Sequence, residues 1–317
     1  MFLLFSFLLR KWRERQARAT GADAEARAGE GGSESISSAP SAPRVVDPEV
    51  PRRSPANRGM AALIAHQVRY DLRASLRNPR ARFFTFFFPI VLLIVFNGVF
   101  GNGHTTVDGA QVELSRFYVP GILAMSIVVA SYANLVISIT SLRESGVLKR
   151  RRATPVSPAL LVAGQAISTV AVTLFMGALL LLIAKVFYGV GMSGGALVAM
   201  AITTAVATLA FACIGYAVSI LVGSPDAAQP IVQATMLPLW FISGVFIPTA
   251  SLSSGLRRVG SLFPVAHVAG ALHLASVRST FSSAFSGSDL LVLAAWGVAA
   301  AAFCAWRFSW LPSTATA

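Results

Sequence analysis

The sequence predicts an all-α polytopic membrane protein with six transmembrane helices. Three observations carry this. Of the 317 residues, 55% are hydrophobic and only 12% are charged, where soluble domains carry about 25% charged residues. The mean hydropathy is +0.67. The apolar residues gather into six long runs whose interiors are almost free of charge.

The elements follow in order. Residues 1–59 are rich in Ala, Gly, Ser, Pro and Arg without apolar periodicity, and read as a disordered cytoplasmic tail. Residues 1–9 are apolar but too short to span, and they lack the basic start and small-residue cleavage site of a signal peptide. Residues 61–78 read as an amphipathic helix. At 100° per residue, Ala61, Ile64, Ala65, Val68, Leu72 and Leu76 share one arc, and His66, Arg69, Arg73 and Arg77 the next. Such a helix lies in the membrane interface.

The six runs cover residues 83–100, 117–140, 160–187, 196–222, 229–247 and 290–308. Each approaches or exceeds the ~20 residues that cross ~30 Å of hydrocarbon. Pro89 predicts a kink in the first, and Pro238 a break in the fifth. Phe83, Phe84, Tyr118, Phe187, Tyr188, Trp306 and Trp310 cluster near span ends, as interfacial aromatics do. An even number of spans puts both termini on one side. Most arginines precede Phe83, and the short loop after the second run holds Lys149, Arg150, Arg151 and Arg152. Short basic loops stay inside, so both termini are expected in the cytoplasm of a plasma-membrane protein. The net charge of +13 is therefore topogenic, and nucleic acid is not an expected partner. The outer segment 248–289 contains an apolar stretch, residues 262–275, suited by its length to a re-entrant helix. Phe263-Pro264 and Gly270 are expected to break it.

What is missing narrows the function. Lys185, near an outer end, is the exception to otherwise uncharged spans, and no Asp, Glu or His sits mid-span. Ion-coupled transporters place such groups near the bilayer centre. No Walker A pattern occurs, so this chain does not bind ATP in that way. Cys213 and Cys304 have no metal-ligand spacing, and no metal or catalytic group is assigned. Gly191-Met192-Ser193-Gly194-Gly195 matches G-x-S-x-G, which would allow an intramembrane serine hydrolase. A nucleophile elbow requires a preceding strand, and here a Gly-Ser turn between apolar helices is the plainer reading. Polar residues within the runs are few: Asn97, Tyr132, Asn134, Gln165, Gln233 and Ser243. Helix glue is the common role of such groups. Phe87, Asn97, Asn134, Gln233 and Met236 are the candidates for a substrate path.

Three motifs carry a family resemblance. The first is R-E-S-G-V-L-K-R-R-R-A-T-P-V-S at residues 143–157, followed by Gly164. The second is I-S-G-V-F-I-P at residues 242–248, followed by Phe263-Pro264 and His267. The third runs from Asp289 to Trp296 and on to Arg307-Phe308-Ser309-Trp310. In this order, with six spans, they resemble the type-2 ATP-binding-cassette (ABC) exporter permeases, and among these the daunorubicin-resistance type of multidrug or lipid exporter. Leu252-Ser253 departs from the Leu-Pro that often follows the second motif. The resemblance covers residues 61–312, implying a permease domain over 60–312 and a short tail at 313–317. It also implies short outer re-entrant helices between spans 5 and 6, a second permease copy in a homo- or heterodimer, and separate ABC ATPase subunits that bind the ATP and magnesium. The loop after span 2 would be the coupling helix. Arg143, Glu144, Gly146, Val147, Leu148 and Arg150 would meet the ATPase. The implied function is outward movement of a hydrophobic or amphiphilic compound, a drug or lipid. Polysaccharide or glycolipid export is the alternative within the family, and membrane lipids are partners in either case.

Overall fold

The computed structural model describes Arg69 and residues 83–101, 103–145 and 158–307, with the backbone alone at 158–163 and 307. By its contacts the chain divides between Gly59 and Met60, and the described residues belong to the second unit. The tail 1–59, the interfacial helix 61–78 apart from Arg69, and Gly146, Val147, Leu148 and Arg150 lie outside the described residues, as do 308–317. Arg69 is helical and exposed.

The described fold is helical with one small hairpin. α1 spans Phe83–Phe100, opening with a π-helical turn, Phe83–Phe87. Pro89 is the second residue of the α-helical part, directly after the π turn. The strands β1 (His104–Val107) and β2 (Ala110–Glu113) follow. α2 covers Leu114–Glu144, with a π turn at Val129–Ala133. α3 is Pro158–Tyr188, α4 is Gly194–Leu221 and α5 is Pro225–Ile242. α6 (Ser254–Gly260) and α7 (Pro264–Val277) are bent by 100° at their junction. A short turn of helix, α8 (Phe281–Ala284), leads into α9, Gly287–Arg307.

Five helices, α1 to α4 and α9, are long and apolar enough to cross a membrane, and the count reaches six if the bent α6–α7 pair is one span. α5 is not among the five. The fifth predicted run therefore shifts: its helix begins four residues earlier and ends at Ile242. Pro230 and Pro238 sit inside α5 without ending it. Gly244 ends it, with φ of +79°, a left-handed conformation that glycine adopts without steric cost. The expectation for the outer segment also needs correction. Pro264 starts α7 rather than breaking it, because proline at the first helical position preorganises φ and its missing N–H is not needed there. Gly270 lies within a continuous helix.

α2 is the core. It is 72% buried over its most apolar stretch, compared with 22% for α1 and 17% for α9. Its N-terminal half is buried all round, from Phe117 to Val128. α9 packs closely on α4: a Cβ on Gly297 would come within 3.1 Å of Ala210 Cα. Small residues at such a crossing let backbones approach where no hydrophobic effect operates between helices. The Cys304 thiol approaches the Cys213 carbonyl at 3.9 Å across this contact, and both cysteines are free.

The hairpin was not foreseen. Asp108 (φ 48°) and Gly109 (φ 77°) both take left-handed conformations, as a two-residue type I′ turn requires. Arg278, just past α7, grips the Asp108 carboxylate through two guanidinium nitrogens.

Candidate translocation and coupling sites

At the end of α2 the helix runs out through Arg143 and Glu144. Arg143 turns back into the bundle. Its guanidinium donates to the Ser219 carbonyl at 3.0 Å and to the Val222 carbonyl. These are carbonyls at the C-terminal end of α4, which lack helical partners and carry the negative end of the helix dipole. Arg143 therefore joins two connections: the loop after α2 and the turn from α4 to α5. The next helix begins at once, with the Ser224 hydroxyl accepting from Ala227 N–H as its N-cap. Glu144 and Ser145 are exposed beside this junction. Arg143, expected to meet the ATPase, is held here by carbonyls of its own fold.

Deeper in the bundle the π turns of α1 and α2 adjoin. Asn134, just after the second turn, donates to the hydroxyl of Thr85, in the middle of the first, at 3.1 Å. The Tyr132 hydroxyl meets Thr235 on α5 at 3.0 Å. Ser131 returns its hydroxyl to the Ile127 carbonyl. A polar layer thus crosses α1, α2 and α5. The π turn suits it: one extra residue rotates the following side chains and frees backbone groups, a feature frequent at functional sites.

The five path candidates separate on this frame. Asn134 belongs to the layer. Gln233, half-buried, and Met236, buried, are on α5 within two residues of Thr235, Gln233 on the opposite side of the helix. Phe87 is 56% exposed on α1, next to Phe83 at 5.2 Å between ring centroids. Asn97 is apart from them: it is buried and donates to the Leu93 carbonyl one turn back, a contact within its own helix. Tyr132 and Thr235 have the more central positions. Tyr132 was visible as a polar residue in an apolar run. Thr235 gave no such signal.

The opposite end is built around the 242–248 motif. The Val245 carbonyl lies where a Cβ on Gly121 would be, so only glycine lets the turn seat on α2. His273 Nε2 donates to the Gly244 carbonyl, 3.0 Å away, and the ring stacks on Phe117 at 4.4 Å; since a carbonyl only accepts, Nε2 carries the proton. Phe246 stacks on Phe96 at 5.4 Å. Nearby, His267 Nδ1 lies 2.7 Å from Asp289 Oδ1, its Nε2 lies 3.0 Å from the Ser261 carbonyl, and Ser286 donates to Asp289. This cluster joins the α6–α7 bend to the start of α9.

Ser193 is a helix cap. Its oxygen accepts from Ala196 N–H at 3.2 Å, and its hydroxyl donates to the Ser279 carbonyl. A loop, not a strand, precedes it. A Cβ on Gly195 would strike the Phe281 amide, so this Gly-Ser-Gly-Gly turn exists to let the α7–α8 connection cross it. No group of three or more His, Cys, Asp or Glu among the described residues could hold a metal.

A family model described as ABC-2 type transporter matches residues 63–275, more than half of the chain. The match includes the α2–α3 loop, the 242–248 motif and most of α7. No curated protein matches the sequence.

Proposed function

Since the chain belongs to the ABC-2 type transporter family, we propose that it is the permease subunit of an exporter of the daunorubicin-resistance type, moving a hydrophobic or amphiphilic drug or lipid outward. ATP is hydrolysed on separate ABC ATPase subunits, which bind the nucleotide and magnesium, and two permease copies form the pathway. Both termini face the cytoplasm of a plasma-membrane protein.

The observation that carries this reading is the Arg143 contact. A force applied to the loop that begins at Arg143 reaches α2 covalently and α4 through two backbone carbonyls. Backbone acceptors at a helix end cannot move without the helix, so the loop has a direct grip on two spans. Glu144, exposed beside it, and Gly146, Val147, Leu148 and Arg150 further along offer the surface on which the ATPase pushes. Substrate passes the α1–α2–α5 face carrying Phe87, Asn134, Gln233 and Met236. Spans without mid-membrane charge suit an apolar cargo, for which no ion site is needed.

A second reading within the family, polysaccharide or glycolipid export, is supported by the exposed aromatic faces of Phe83, Phe84 and Phe87, on which sugar rings can stack. Reconstitution with the cognate ABC ATPase in vesicles separates the two. ATP-dependent movement of an amphiphilic dye is expected. Movement of an undecaprenyl-linked glycan but not the dye would replace the drug or lipid assignment with the glycan one.

A further inference from the structure

Between α3 and α4 lies a half-open cavity of about 380 Å³. None of the path or coupling residues lines it. Leu123 of α2 forms its floor, Gly177 and Leu181 of α3 one wall, and Ala201 of α4 the other. Lys185 and Met192 stand at its end, near the α3–α4 turn. A Cβ on Gly177 would meet Leu123 at 3.2 Å, so glycine keeps the groove deep. Along α3 the lining runs from Leu174 to Lys185, eleven steps of about 1.5 Å, or roughly 16 Å. That is about half of the ~30 Å hydrocarbon core, the depth of one leaflet.

The lining is apolar apart from Lys185 and Thr204. Leu182 and Leu197 at its rim are 58% and 42% exposed, so the groove opens sideways to the bilayer rather than to water. In a membrane such a space is filled by hydrocarbon, and packing, not water exclusion, decides how tightly. The charge at its end decides what that hydrocarbon is attached to. Lys185 occupies the last turn of α3, exposed, and the ion pairs among the described residues, His267–Asp289 and Arg278–Asp108, leave it without an acidic partner there. Arg116 reaches the same turn, donating to the Gly191 carbonyl at 3.5 Å, between Val190 and Met192 of the lining. Two cations thus flank a turn, residues 189–193, that contains no acid. A lysine at this position reaches for the headgroup layer, where a phosphate oxygen accepts its hydrogen bonds.

We propose that this groove is a binding site for one anionic phospholipid, with an acyl chain between α3 and α4 and its phosphate at Lys185, in the leaflet where the α3–α4 turn lies. The lipid is a resident component of the fold. The site shares no residue with the proposed path or coupling surface, so it stands whether the cargo is a drug or a glycan.

The test is native mass spectrometry of the full chain released from vesicles of equal phosphatidylglycerol and phosphatidylcholine. One retained phosphatidylglycerol per chain is expected, in several-fold excess over phosphatidylcholine. Lys185→Gln should bring that ratio to about one, and Ala201→Trp should remove both lipids. Excess inorganic phosphate should leave retention unchanged. Because Ala201→Trp can also disturb folding, phosphatidylglycerol with a photoreactive acyl chain provides a check on the unaltered protein: labelling should fall on α3 and α4 around Leu181 and Ala201. Equal retention of the two lipids by the wild type, an unchanged preference in Lys185→Gln, displacement by phosphate, or labelling confined to other helices would each overturn the proposal.

Discussion

At one end of the bundle Arg143 ties α2 to the carbonyls that finish α4. At the other end, His267, Asp289 and Ser286 tie the α6–α7 bend to α9, and Arg278 holds the hairpin through Asp108. The two ends use different chemistry. The Arg143 acceptors are backbone atoms, fixed to their helix. The opposite end has backbone acceptors too, under His273 and His267, but adds pairs of side chains meeting side chains, His267 with Asp289 and Arg278 with Asp108, which can part while each helix stays intact. Under the proposed coupling, the first arrangement would transmit force and the second would yield to it. A permease that receives a push at one end and opens at the other needs both.

This contrast can be broken at several points. Arg143→Ala should have the largest effect. It removes charge-assisted bonds to the end of α4, each worth about 1.5–3 kcal/mol, and should both lower the melting temperature in detergent and abolish transport. Arg143→Lys should recover part of the stability but not the transport, because an ammonium cannot hold two carbonyls with the planar fork of a guanidinium. If Arg143→Ala melts and transports as the wild type does, the rigid end is not rigid. Asp289→Asn comes next. It weakens the contact with His267 by about 1–2 kcal/mol, and protease accessibility near Ser261 should rise while binding of the ATPase stays the same.

Smaller effects test the rest. Ser193→Ala removes an N-cap, at a cost of about 1 kcal/mol, and should leave transport intact; loss of transport at normal stability would revive a catalytic role for this serine. Asp108→Asn acts on an ion pair whose partners are 47% and 44% exposed. Such pairs contribute about 0–1 kcal/mol, so a shift beyond that would mean the hairpin anchors its end of the bundle more firmly than an exposed contact allows.

Much of the fold was legible because hydropathy reports burial in lipid directly. Five of the six apolar runs became helices long enough to span, with ends within about three or four residues of those expected. The fifth moved because α5 mixes prolines and glutamines with apolar residues, and its end depends on the Gly244 turn seating against Gly121. The hairpin's turn is written in the sequence as Asp108-Gly109, but its strands are only four residues each, too short to stand out beside the long apolar runs. The π turns have no comparable signature. The inward course of Arg143 was also hidden, since its acceptors lie 76 and 79 residues away and only the packing of α2 beside α4 brings them near. For the candidate site, Asn134 was readable as a polar residue in an apolar run. Thr235, common in such runs, was not distinguishable from its neighbours until Tyr132 was seen beside it.

The most direct test of the coupling account uses Glu144, which is exposed next to the Arg143 junction. Permease carrying Glu144→Arg is co-purified with its ABC ATPase and compared with the wild type for ATPase retention, melting temperature and ATP-driven export from vesicles. The account predicts at least tenfold weaker ATPase retention and a matching loss of export, with the permease melting as before. Full retention and full export in Glu144→Arg would contradict it, and would move the point where energy enters away from the end of α2.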